Sequence, residues 1–435
     1  MDKMADVLGR AGAWCGQNKY LSAIKNAFQN FMPLTIAGAI GVLWCNVLVN
    51  ESTGLGIFFK PIMALEFLNP AFQAVNFCTI SCITVGITLG IAQEIGVWNM
   101  GAEKAGYIPG LVGLAAWLSV TNTSHMVEGA KEAFTGIAGN ELGATGLFTG
   151  MIIGVLSVEL FCFFEKQDAL KIKMPEQVPP GVARAFEVLV PATITLIITA
   201  CIGSACYNLT GLYLNDVIKN GIQGPLGAVG ATIPGVMIIY LVIMLFWLVG
   251  IHGNNMLSAV KEALFTPLAL ENVEKFNKGE KPTNIINMYA LQMWGEFGGS
   301  GVTIGLVIAI MIFGKREDNK AIATLSLVPG LFNINETVTF GVPMVLNPIL
   351  GIPFVVAPLI TIIIGYVLTV IGFCPVACLT VPWTTPPIVF GFLACGANVM
   401  GAVTQAILIV VSTVIYVPFL ISYEKYQNKQ AAAAE

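Results

Sequence analysis

The sequence predicts an all-α polytopic membrane protein of about ten transmembrane helices, with re-entrant hairpins and a two-part architecture. Three observations carry that prediction. Hydrophobic residues make up 56% of the 435 and charged residues only 11%, against about a quarter charged in soluble domains, and the mean hydropathy is +0.79. Several charge-free runs approach or reach the roughly 20 apolar residues that a spanning helix needs. Other stretches, just as apolar, are broken by proline and glycine around polar side chains, as no amphipathic surface helix is. No run shows the apolar/polar alternation of an outer-membrane barrel.

Taken in order, the opening "MDKMADVLGRAGAWCGQNKY" has no signal-peptide core and reads as a cytoplasmic lead-in. Within "NKYLSAIKNAFQNF", Tyr20, Ile24, Ala27, Phe28 and Phe31 recur at helical spacing, which predicts an interfacial amphipathic helix. Nine spans follow: Phe31–Val49, Ala71–Gln93, Tyr107–Val120, Thr145–Phe164, Leu189–Leu212, Ile233–Ile251, Phe297–Phe313, Leu350–Phe373 and Val399–Ile421. The closing "QAAAAE" is low in complexity and is expected to be disordered.

Lysine and arginine set the orientation. Lys3, Arg10, Lys19 and Lys25 precede the first span, Lys166, Lys171, Lys173 and Arg184 follow the fourth, and Lys425 and Lys429 end the chain. These segments, and so both termini, are expected in the cytoplasm, with the loops of Lys60 and Lys131 outside. Nine spans do not bring the chain back to its starting side. Basic segments also flank Phe297–Phe313 at both ends: the loop His252–Gly295, with Lys261, Lys275, Lys278 and Lys281, and the loop Gly314–Lys320. A hidden crossing or a re-entrant segment is therefore expected. Its place is "LNDVIKNGIQGPLGAVGATIPG", the His252 loop, "VPGLFNINETVTFGVPMVLNP" or "PVACLTVPWTTPPIVFGFLACG". The basic, proline-containing segment "EKQDALKIKMPEQVPPGVARAFEVLVP" marks a boundary. Residues 1–175 read as a scaffold half and 176–435 as a substrate half, because the polar, broken apolar segments come after it.

Composition excludes several functions. The net charge of −4 comes with no basic patch, so no nucleic-acid partner is expected. The ten cysteines lie mostly in apolar runs, as Cys78, Cys82, Cys201 and Cys206 do, and lack metal-ligand spacing. No metal and no cofactor are expected. There is no Walker A motif for an ATP-driven pump, and no HExxH or GxSxG for hydrolysis.

Three polar clusters remain. In "VPGLFNINETVTFGVPMVLNP", Asn333, Asn335 and Glu336 stand among three prolines and two glycines. Irregular backbone at membrane depth survives only inside protein or beside a wet cavity, and transporters build midplane sites from it. An ordinary loop is the alternative, but apolar flanks on both sides favour a re-entrant tip carrying Glu336. In "FWLVGIHGNNM", Trp247, His252, Gly253, Asn254 and Asn255 close an apolar span. They offer donors and acceptors suited to sugar hydroxyls, or they form a helix C-cap; beside the first cluster the functional reading is favoured. In "QMWGEFGGSG", Glu296 either bonds substrate or caps the helix that follows. Trp247, Trp294, Phe340 and Trp383 are aromatics able to stack on a sugar ring, or to line the membrane interface.

These residues resemble a known family. "GLFNINETVTFGVPMVLNPIL", "WLVGIHGNN", "NKYLSAIKNAFQNFMPLTIAGAI" and "VPPGVARAFEVLVP" are similar to elements of the membrane component, enzyme IIC, of sugar phosphotransferase systems, in the lactose/cellobiose/diacetylchitobiose branch. The resemblance covers nearly the whole chain. Thr337 stands where that branch often has proline, and Glu296 where its members vary. The resemblance implies a permease of the bacterial cytoplasmic membrane that takes up a disaccharide and presents its C6 hydroxyl to phosphocysteine on a separate cytoplasmic IIB, itself charged by IIA. It implies a homodimer formed through the N-terminal half, no stand-alone enzymatic activity, and a conserved His and Glu at His252 and Glu336 as the catalytic pair. Glu336, His252, Asn255, Asn254, Asn335, Asn333, Glu296, Gly253, Trp247 and Trp383 are then the candidate sugar ligands. Two rivals remain: an ion-coupled secondary sugar transporter using Glu336 as its proton or cation site, and a membrane enzyme acting on lipid-linked sugars.

Overall fold

The computed structural model describes residues 9–14, 17–51, 56, 59–125, 133–175 and 177–434; Lys3 and Lys131, used above for orientation, lie outside them. Among the described residues five helices are long and apolar enough to cross a membrane: Lys19–Leu48, Ala144–Glu165, Pro180–Thr210, Gly351–Val370 and Val399–Gln430. A sixth is added if Lys60–Ser81 and Ile83–Met100, bent by 42° at Cys82, form one broken span. The fold is mostly helical. A two-residue antiparallel pair, Ser124–His125 against Phe134–Thr135, is the exception to the all-α expectation.

Several expected elements differ. The segment expected as an interfacial helix is continuous with the first span: one helix runs from Lys19 through Leu48, with Pro33 inside it. The closing alanines are helical, not disordered, as Val399–Ala434 is one 36-residue helix; alanine is the strongest helix former. The segment His252–Gly295 is no loop. It holds helices Ser258–Asn277 and Met288–Gly295.

The expected span between the two basic segments differs as well. Of the expected span Phe297–Phe313, only Ile304–Phe313 is helical, ten residues. At about 1.5 Å per residue that covers about 15 Å, half of a bilayer's roughly 30 Å core. Lys261, counted as a loop charge, is 6% exposed within the helix Ser258–Asn277.

Two compact units divide the chain: residues 17–38 with 74–228, and residues 1–16, 39–73 and 229–435. The first packs the helices Ile83–Met100, Ile108–Val120, Ala144–Glu165 and Pro180–Thr210. A carboxylate in such a unit needs partners. Glu165, 1% exposed, pairs with Lys104 at 2.8 Å and Arg184 at 3.0 Å, and Lys19 pairs with Glu159 at 2.6 Å. The second unit is built round a large apolar core including Trp247, Phe265, Trp294, Phe297, Phe354 and Tyr416. At one end of it the basic turn Gly314–Arg316, which leads into the helix Glu317–Leu331, is clamped to the C-terminal helix Val399–Ala434. Glu424 accepts from the Lys315 and Arg316 amides at 2.9 and 3.3 Å, and Arg316 Nη1 donates to Asn428 at 2.8 Å.

Candidate functional site

Three irregular joints meet within the second unit. The first follows the apolar helix Ile233–Leu248. That helix closes with Gly250 at φ +83° and the Ile251 amide bonded back to the Phe246 carbonyl at 3.0 Å, a Schellman-type ending that needs a left-handed residue. His252 then heads the short helix Gly253–Met256, its Nδ1 accepting the Asn255 amide at 3.2 Å. The cluster therefore holds both a C-cap at Gly250 and an N-cap at His252. Since the Nδ1 lone pair is used, the neutral ring carries its proton on Nε2. Burial pushes the His252 imidazole below its ordinary value, and Glu336 pulls in the opposite direction more weakly. Burial therefore favours the neutral ring.

The second joint breaks the opening of the asparagine-rich stretch. The helix Glu317–Leu331 ends, Asn333 turns the chain at φ +62°, and a short helix Glu336–Gly341 begins. Asparagine tolerates the left-handed region that most residues avoid. Glu336 lies at the head of this helix, with His252 Nε2 3.8 Å from its Oε1; their side chains are 48% and 38% exposed.

The third joint is the loop from Glu296 to Thr303. Gly298, Gly299 and Gly301 take φ of +69°, +86° and +80°, and Val302 takes +48°. A Cβ on Gly299 would lie 2.6 Å from the Asn335 side chain, so only glycine admits the second joint here. The Tyr416 hydroxyl donates to the Gly301 carbonyl at 2.7 Å and Thr303 Oγ1 to the Gly298 carbonyl at 2.6 Å. Glu296 accepts from the Tyr240 hydroxyl at 2.7 Å and pairs with Lys261.

The expected site residues thus divide. His252 and Glu336 face each other across a gap longer than a hydrogen bond. Asn255 is exposed beside them. The Asn254 amide donates to Ser300 Oγ at 2.9 Å and accepts from Lys261 at 3.3 Å. The Asn335 amide donates to the Ser300 carbonyl at 2.7 Å, and Asn335 is buried. Asn333 accepts from the Gly298 amide at 2.6 Å and donates to the carbonyls of Trp383 and Thr385. Gly253 is buried against the Ile243 carbonyl. Trp247 is 1% exposed, its ring 4.4 Å from that of His252 and also against Phe340 and Phe354; it backs the histidine. The Trp383 ring is exposed.

Lys261, Tyr240 and Ser300 escape a reading for polar clusters. The available signal is positional: Lys261 stands four residues before Phe265 and eleven before Asn272, on the stripe that the helix Ser258–Asn277 buries.

Comparison with known proteins agrees with this architecture. The family model described as "Phosphotransferase system, EIIC" matches residues 25–358. The oligo-beta-mannoside-specific EIIC component of Bacillus subtilis (strain 168) is 32% identical over 100% of this chain and 98% of its own. The cellobiose-specific EIIC component of Lactococcus lactis subsp. lactis (strain IL1403) is 30% identical over 98% of each. The crystal structure of the transporter ChbC, the IIC component from the N,N'-diacetylchitobiose-specific phosphotransferase system, superposes with a TM-score of 0.88 at 29% identity, over 97% of both chains. With a match of this extent on top of the helical membrane fold, the chain belongs to the EIIC family of phosphotransferase-system membrane components.

Proposed function

We propose that the chain takes up a disaccharide of the cellobiose or diacetylchitobiose kind and presents its C6 hydroxyl to phosphocysteine on IIB, with His252 and Glu336 holding that hydroxyl. The 3.8 Å separation of Nε2 and Oε1 carries the reading. One hydroxyl oxygen can lie about 2.8 Å from both, accepting from the Nε2 proton and donating its own proton to the carboxylate. Its second lone pair is left for attack on phosphorus. The P–S bond then breaks, the new P–O bond forms, and the hydroxyl proton passes to Glu336. The names of the relatives support the substrate class, and the glycosidic rings have an exposed apolar face in Trp383 to meet.

The Glu336 joint is read as the tip of a re-entrant hairpin, supported by the six-residue helix Glu336–Gly341 that it begins, too short to span. Both termini are read as cytoplasmic. The clamp between Lys315–Arg316 and the C-terminal helix supports this for the C-terminus, since two basic segments held together are expected on the same, cytoplasmic side. The resemblance adds a homodimer formed through residues 1–175, with 176–435 carrying the sugar. Vesicles with no ion gradient, supplied with phospho-IIB, are expected to accumulate sugar phosphate. Uptake of unmodified sugar that requires an ion gradient and ignores phospho-IIB would replace this reading with an ion-coupled transporter.

A further inference from the structure

We infer that Lys261 is a positioning residue for this reaction: by holding Asn254 and Glu296 at once, it sets the distance between His252 and Glu336. The inference rests on the proposed function. His252 and Glu336 do not touch, so something else fixes their spacing. Ser300 is the common point. Its hydroxyl accepts the Asn254 amide, two residues from His252, and its carbonyl accepts the Asn335 amide, one residue from Glu336. Both catalytic segments are therefore measured from the loop 296–301.

That loop has three residues at positive φ, Gly298, Gly299 and Gly301, and little intrinsic regularity, so its place depends on what grips it. Tyr416 and Thr303 grip its far end. Lys261 grips its near end through Glu296. The same ammonium donates to Asn254 Oδ1 at 3.3 Å. Because the oxygen end of that amide is taken, its nitrogen end is turned to Ser300. Lys261 thereby ties the histidine segment and the loop to one rigid helix, and at 7% side-chain exposure it has little freedom to do otherwise.

The test uses the full-length protein with phospho-IIB, with rates counted per folded molecule by titrating the site with radiolabelled disaccharide. In Lys261→Met the rate at saturating sugar is expected to fall about a hundredfold, as a misplacement on the order of 1 Å does. KM is expected to move by less than about threefold. Lys261→Arg keeps the ion pair and so the fold, but its longer planar fork displaces Asn254; a loss of about tenfold in the saturating rate is expected. Combined with Asn254→Ala, Lys261→Arg is expected to cost no further rate. A wild-type saturating rate in folded Lys261→Arg, or additive losses in the cycle, overturns the inference. If the wild-type protein itself makes no sugar phosphate from phospho-IIB, the failure belongs to the proposed function.

Discussion

Glu296 and Glu336 are two carboxylates in the same compact unit, each at an irregular joint between helices, and their surroundings are opposite. Glu296 is 17% exposed and engaged by both the Tyr240 hydroxyl and the Lys261 ammonium. Glu336 is 48% exposed, and its charged neighbour among the described residues is His252, at 3.8 Å. A carboxylate supplied with partners by its own protein has its hydrogen-bonding capacity committed to holding the fold. One left short of partners in an apolar setting has capacity for a ligand. On the proposed function, the difference separates a residue that builds the site from a residue that uses it.

Removing the charge at each position should therefore break different properties. The largest effect is expected for Glu336→Gln: transfer of phosphoryl to sugar falls by about 10²–10⁴-fold, while the amide oxygen preserves part of the sugar affinity. Thermal stability should change by less than about 0.5 kcal/mol, as for an exposed position. Near-normal phosphorylation in that variant would remove the proton-acceptor role from Glu336. Glu296→Gln should do the reverse. It leaves the Lys261 ammonium buried without its counter-charge, a change that costs about 3–5 kcal/mol in unfolding free energy. Denaturant or thermal melting in detergent would check it; melting indistinguishable from wild type would show that the pair contributes nothing to the fold.

How far the sequence reveals this contrast depends on what each residue is surrounded by in the chain. His252 and Glu336 are legible because a polar group within an apolar run has no ordinary explanation. The asparagines beside them are legible as polar but not as to partner. Asn333 and Asn335 read as sugar ligands, yet their amides hold the loop 296–301 and the 383–385 carbonyls in place. Hydrogen-bonding capacity is a property of the side chain, whereas the partner is set by contacts about 35 to 50 residues away in sequence, which local pattern does not encode. Lys261 is the sharpest case. It reads as one more basic residue of a loop, although its neighbours Ala259, Val260, Ala263 and Leu264 are apolar, and its buried partner Glu296 stands 35 residues on. The helical spans are legible where hydropathy is continuous, as in Ala144–Glu165 and Gly351–Val370. Hydropathy does not distinguish a full span from the ten-residue helix Ile304–Phe313, because glycines at positive φ unwind the preceding apolar residues without making them polar.

The histidine gives a sharper probe of the open side of the comparison. His252→Ala should weaken disaccharide binding to the purified protein by about 1–3 kcal/mol, the range for a lost hydrogen-bond partner. Calorimetric titration measures it directly. A double-mutant cycle with Glu336→Ala should show a coupling above about 0.5 kcal/mol, because both groups contact one hydroxyl. Additive losses would mean that the two segments serve separate parts of the sugar.

The smallest effect is on pH dependence. Burial lowers the His252 imidazole, so its neutral form is favoured in the folded protein, with Glu336 opposing the shift. A group whose folded value is depressed in this way supports the native state most fully above its unfolded value, about 6.5 for histidine. That support is lost as the pH falls from there towards the lower folded value. Protonation has a local consequence as well. It places a proton on Nδ1, which then can no longer accept the Asn255 amide, so the cap of the helix Gly253–Met256 is broken. Disaccharide affinity should accordingly be flat from about pH 8 to about pH 7 and weaken a few-fold as the solution is taken to about pH 5. Because the side chain is 38% exposed, solvent moderates the change. The loss should disappear in His252→Gln, which has no group titrating in that window. A pH profile that persists unchanged in His252→Gln would assign the titration to another group and leave the neutral tautomer of His252 without a role in holding the sugar hydroxyl.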